Sequence, residues 1–138
     1  NINKDILLEK LNLRQLSNTT IFKKDNYFVL SPSVQNDYGW FDLRKKIIER
    51  FDQERETGYL LIRYVDTFLL TTLNNFANKM LPEDKFVSTK SIGIHWKFNI
   101  EYIDNQHVII NRQDKGLIYE IEEVTVKKLQ PIFNHTEH

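Results

Sequence analysis

From Ile94 to Tyr102 the chain alternates strictly, with Ile94, Trp96, Phe98, Ile100 and Tyr102 on one side and His95, Lys97, Asn99 and Glu101 on the other. A period of two is that of a strand with one covered face. Asp104-Asn105-Gln106 reads as a turn into a strand over His107 to Arg112. Gln113-Asp114-Lys115-Gly116 reads as a second turn, and Leu117 to Glu123 as the third strand of a meander. Tyr59 to Val65 is too continuously apolar to face water on either side. It is expected to lie centrally, opened by Gly58 and turned at Asp66-Thr67 into Phe68 to Thr72. Ile21 to Ser31 reads as a strand pair or one bent strand, turned at Lys23-Lys24-Asp25-Asn26 and ended by Pro32.

Three stretches read as helical. Trp40, Leu43, Ile47 and Phe51 fall at i, i+3, i+7 and i+11, the spacing of one helix face, with Lys45, Lys46 and Glu49 turned away. Lys4 to Leu16 carries Leu7, Leu8 and Leu11 among alternating charges. Leu73 to Leu81 places Leu73, Phe76 and Met80 on one side before Pro82. A last helical turn is expected over Val124 to Leu129, ahead of Pro131. The sum predicts an α+β protein, a mostly antiparallel open pseudobarrel of about seven strands with two or three short helices.

Composition narrows this picture. The 138 residues, 41% hydrophobic and 28% charged, fit one domain with its own core. That domain is expected over residues 1–133, with 134–138 as a disordered tail or appended remnant. A start at Asn1 rather than methionine reads as a piece trimmed from something longer. The absence of cysteine excludes thiolate metal sites, disulfides and cysteine nucleophiles, and points to a cytoplasmic address. No apolar run approaches the roughly 20 residues that span a bilayer as a helix, so no membrane partner is expected. With four glycines and no Gly-rich strand-to-helix loop, neither a P-loop nor a dinucleotide fingerprint can be built.

Catalytic chemistry finds little support, and no cofactor is expected. His95 and His107 share the predicted meander without an obvious third metal ligand, and His135 and His138 lie at the terminus. Glu120 and Glu122 alternate on a strand as a metal-dependent nuclease would need, but Val124 stands where its lysine belongs. Ser31 and Ser33 lack a spaced histidine and acid. Trp40, Trp96 and Phe98 resemble a stacking platform for nucleic acid, but their places on apolar faces assign them to the core. Arg63, inside an apolar strand, is expected to pair with an acid at a barrel end.

The strongest functional signal is Ser31 to Phe51, where short polar side chains run into Arg44, Lys45 and Lys46. Small hydrogen-bonding groups suit base edges, and cations suit phosphates. A second acid-free segment runs from Ser88 through Thr89 and Lys90 to Lys97. The candidate DNA contacts are Gln35, Asn36, Tyr38, Arg44, Lys45, Lys46, Ser88, Thr89, Lys90 and Lys97, carried on two arms. Zero net charge argues against nonspecific nucleic-acid binding, yet the charges are uneven, with six acids from Glu101 to Glu123 against Arg112 and Lys115. The alternatives are a protein-interaction module using sheet edges and the helix Phe41 to Phe51, and a small metal-dependent nuclease.

The order of elements, with SPSVQNDYGWFDLR, GYLLIRYVDTFLL and IGIHWKFNIEY, resembles the N-terminal target-recognition domain of McrBC-like restriction systems of the LlaJI type. Such domains are similar in fold to the plant B-three DNA-binding pseudobarrel. The resemblance implies a noncatalytic reader of a double-stranded DNA site, in a modification-dependent or sequence-specific restriction endonuclease subunit. It also implies a downstream AAA+ GTPase module and a separate nuclease subunit as partners. The two arms gripping the major groove would map by position onto Gln35 to Lys46 and Ser88 to Lys97.

Overall fold

In the computed structural model, residues 4–134 are described. Among these residues eleven strands form one sheet. They are β1 (Arg14–Gln15), β2 (Ile21–Lys24), β3 (Tyr27–Leu30), β4 (Ser33–Val34), β5 (Trp40–Arg44), β6 (Thr57–Tyr64), β7 (Thr67–Thr72), β8 (Val87–Thr89), β9 (Gly93–Ile103), β10 (Gln106–Asn111) and β11 (Ile118–Val124). Three short helices, α1 (Lys45–Ile48), α2 (Leu73–Met80) and α3 (Val126–Phe133), join a π-helical turn at Ile6–Lys10. The main path is β1-β2-β3-β6-β7-β11-β10-β9-β5, with β4 beside β6 and β8 beside β9. Its ends, β1 and β5, do not pair, so the sheet is open. The fold is mixed α+β, with more strands than expected because β1, β4 and β8 are pieces of two or three residues.

The predicted meander is present as β9, β10 and β11, all antiparallel. Its first turn is a two-residue loop, Asp104-Asn105, with φ of 51° and 64°, in the left-handed region that short hairpins favour. The β2–β3 pair turns at Asp25-Asn26. Pro32 kinks the chain rather than ending its pairing: β3 and then β4 run parallel to successive parts of β6.

Both faces of the central strands are covered. Leu60, Ile62, Phe28 and Leu69 join Trp96, Phe98, Ile109 and the α2 residues Leu73, Phe76 and Met80 in the larger core. On the opposite face, Leu61, Phe22, Val29 and Phe68 pack with Leu7 and Leu11 of the N-terminal segment and Leu129 and Phe133 of α3. The unbroken apolar run of β6 therefore serves two cores.

Several expectations need correction. The segment Trp40 to Phe51 is not one amphipathic helix: Trp40–Arg44 is a strand against β9, and only Lys45–Ile48 is helical. Phe41 and Leu43 are buried while Trp40, Asp42 and Arg44 are exposed, so pairing to β9 at period two prevails over the coincident helical spacing. Lys4 to Leu16 is a π-helical turn followed by β1, whose pairing to β2 claims Arg14 and Gln15. The last helix runs through Pro131 rather than stopping before it. Asn134, expected in a loose tail, donates to Lys10 O at 2.9 Å and accepts from Lys24 Nζ at 2.9 Å. His135 and His138 lie outside the described residues.

Arg63 is 9% exposed and binds Ser31, its Nη2 donating to the backbone O at 2.8 Å and its Nε to Oγ at 3.2 Å. Its guanidinium also lies 5.6 Å from the centre of the Phe22 ring. Hydrogen bonds and an aromatic face thus take the place of the expected acid. Burial lowers its pKa from the usual value.

Candidate nucleic-acid interface

The two arms meet on β9. Arg44 of β5 and Val87 of β8 both pair with His95, from opposite edges of the same strand. At about 4.8 Å between neighbouring strands, the Arg44 and Val87 backbones lie about 10 Å apart. Arg44, Lys45 and Lys46 leave one side of this triplet, all exposed. Ser88, Thr89 and Lys90 leave the other, in a hairpin whose tip returns at Gly93 with φ of 77°. There Thr89 Oγ1 accepts the Ile92 N–H at 3.2 Å, which stiffens the tip while Ser88 and Lys90 remain exposed.

The polar residues expected to continue into the basic helix lie elsewhere. Gln35, Asn36 and Tyr38 precede the far end of β5, whose four residue steps from Trp40 to Arg44 span about 13 Å. Gln35 Nε2 donates to Arg63 O at 3.2 Å. Asn36 is engaged with Trp40, its Nδ2 donating to Trp40 O at 2.9 Å and its Oδ1 accepting the Trp40 N–H at 3.0 Å. These carboxamides serve the loop first.

Charge is also partly neutralised. Lys97 pairs with Asp42, directly opposite on β5, at 3.4 Å. Lys85, three residues before Ser88, reaches Asp114 at 3.0 Å. That contact raises the lysine pKa and lowers the carboxyl. Arg44, Lys45, Lys46 and Lys90 form no ion pair among the described residues. The opposite end of β9 is acidic, with Glu101 and the turn residue Asp104 on the side where β11, beyond β10, carries Glu120, Glu122 and Glu123. The molecule is therefore neutral in sum but polar along β9.

Beside Arg44 is the groove between the two unpaired ends of the sheet. It encloses about 440 Å³ and is lined by Gln15, Thr19, Thr20, Asp42, Arg44 and Ile47 among others.

The histidines stand apart. His95 is buried and its Nδ1 donates to Gly93 O at 2.9 Å. His107 faces Tyr102, seven positions further along β9. No group of three His, Cys, Asp or Glu side chains arranged for a metal occurs among the described residues. Glu120 and Glu122 are exposed on β11, and Glu122 lies 3.6 Å from Lys128.

Sequence reasoning buried one aromatic wrongly. Trp96 and Phe98 are in the core, but Trp40 is 55% exposed, and its ring sits 5.6 Å from that of Tyr38 and 5.5 Å from the Arg112 guanidinium. The alternation Phe41-in, Asp42-out, Leu43-in carried the signal. No helix among the described residues is long and apolar enough to cross a membrane. No protein-family model, curated protein or solved structure matches this chain.

Proposed function

We propose that this chain is a noncatalytic, site-specific double-stranded DNA-binding domain, its open sheet a pseudobarrel of the B-three kind. It would act as the target-recognition part of a restriction endonuclease subunit, with an AAA+ GTPase module and a nuclease as partners. The observation that carries the reading is the convergence of Arg44–Lys46 and Ser88–Lys90 on either side of His95. Their backbone separation of about 10 Å is commensurate with a major groove about 12 Å wide. The acidic far end of β9 would orient the domain by turning away from the duplex.

In this arrangement Arg44, Lys45, Lys46 and Lys90 hold phosphates, while Ser88 and Thr89 approach base edges. Gln35, Asn36 and Tyr38 contribute through the loop before β5, and Lys97 once it leaves Asp42. Selection from a randomised duplex pool at low and near-physiological salt tests the proposal. An enriched motif whose binding weakens on Lys45→Ala and Lys90→Ala is the expected result. Recovery without a motif, unaffected by those substitutions, would overturn it.

A further inference from the structure

The outer surface of β5 holds an aromatic cluster that packing of the fold does not require. Tyr38 is 73% exposed and Trp40 55% exposed, and their rings lie at 39° to each other. Large aromatics normally bury most of their area, so two side by side in water mark a surface suited to a ligand. We propose that Tyr38, Trp40 and Arg112 form a stacking ledge for the bases of single-stranded DNA.

Three anchors hold the ledge. The Asn36 carboxamide clasps both backbone polar groups of Trp40. Gly39 between the rings has φ of 68°, and a Cβ there would come within 2.8 Å of Ile100 O, so the tight approach to β9 depends on glycine. Arg112 spans from the Trp40 ring to Asn99, donating to Oδ1 at 3.4 Å.

Charge selects the occupant. Trp40, Asp42 and Arg44 share one face of β5; Asp42 is neutralised by Lys97, while Arg44 and Arg112 form no ion pair among the described residues. Arg112 against the Trp40 ring and Arg44 about 13 Å along β5 from Trp40 place two cations outside any ion pair beside a pair of tilted rings, which suits a strand offering phosphates and bare base faces together. A closed duplex hides those faces within its own stack. The ledge therefore goes beyond the duplex reading and can stand without it.

The test uses Trp40 as its own reporter, because Trp96 is only 5% exposed and donates its ring N–H to Pro82 O at 3.0 Å. Titration with oligothymidylate of about 15 nucleotides is expected to quench tryptophan emission. Trp40→Ala should weaken binding of the labelled strand about tenfold and Trp40→Phe much less. Both substitutions are at an exposed side chain, and circular dichroism would verify the fold. Equal affinity of wild type, Trp40→Ala and Tyr38→Ala for the strand would overturn the proposal, as would absence of binding at low salt. Motif selection from the duplex pool is scored separately, so loss of one activity does not mask the other.

Discussion

Lys97 and Asp42 face each other across the β5–β9 pair, with Nζ 3.4 Å from Oδ2. A lysine that sequence places on a phosphate is thereby already matched by a carboxylate. Removing that charge is expected to release it: Asp42→Asn should raise DNA affinity at low salt. It should also steepen the dependence of log affinity on log salt by about 0.9, the increment of one further phosphate contact. An unchanged slope in a salt titration would show that Lys97 does not reach the DNA.

Val65 is a β-branched residue with φ of 50°, a conformation that costs about 1–2 kcal/mol for a side chain with a Cβ. Its N–H donates to Val34 O at 3.0 Å, a bond any residue but proline can keep. Val65→Gly is expected to stabilise the fold by about 1 kcal/mol, and Val65→Asn by a smaller amount. Urea unfolding measures both, and destabilisation by Val65→Gly would contradict the strain assigned to this turn.

Gly58 lies beneath the ring of Phe51, where an added Cβ would be 2.6 Å from Cζ. Phe51 in turn packs on Phe28, their ring centres 5.2 Å apart. Gly58→Ala should destabilise by about 1–3 kcal/mol through overpacking. Phe51→Leu in the same chain should recover part of that loss, and a double-mutant cycle reads the coupling. Additive losses would mean the clash is relieved elsewhere.

Burial holds the His107 imidazole below its usual 6.5, against a weaker upward pull from Glu123. A proton therefore binds more tightly to the unfolded chain. The contribution of His107 to stability should be complete above about pH 6.5 and fade as pH falls through the lower folded-state value. Ring proton shifts followed by NMR would give that value directly. His107→Gln should flatten the acidic limb of the stability profile; an unaltered limb would assign the dependence to other groups.

Much of the architecture was legible because burial and hydrogen bonding agree with local pattern there. Leu60-Leu61-Ile62 announces a strand covered twice, Asp104-Asn105 announces its hairpin, and Leu73, Phe76 and Met80 announce α2. Between Trp40 and Phe51 the pattern was compatible with two periods. The partner that decides between them, Lys97 to Asn99 on β9, lies more than fifty residues later. The site inherited this ambiguity: Arg44 was found, but the exposure of Trp40 and the distance from Gln35 to Lys46 depend on the strand. Arg112, far along the chain, carried no local sign that it would lie over Trp40.

The Asn36 clasp on Trp40 also bears on what happens at the margin of the sheet. Gly39 O accepts from Ile100 N on the β9 side, so the polar groups of Trp40 face outward, where a further strand would dock. Asn36 fills that place with a side chain. At this position a neighbouring molecule finds no open rung to extend, and the charged Asp42 and Arg44 guard the rest. One carboxamide thus closes the edge of the strand at Trp40 to edge-to-edge pairing, while leaving its broad surface available.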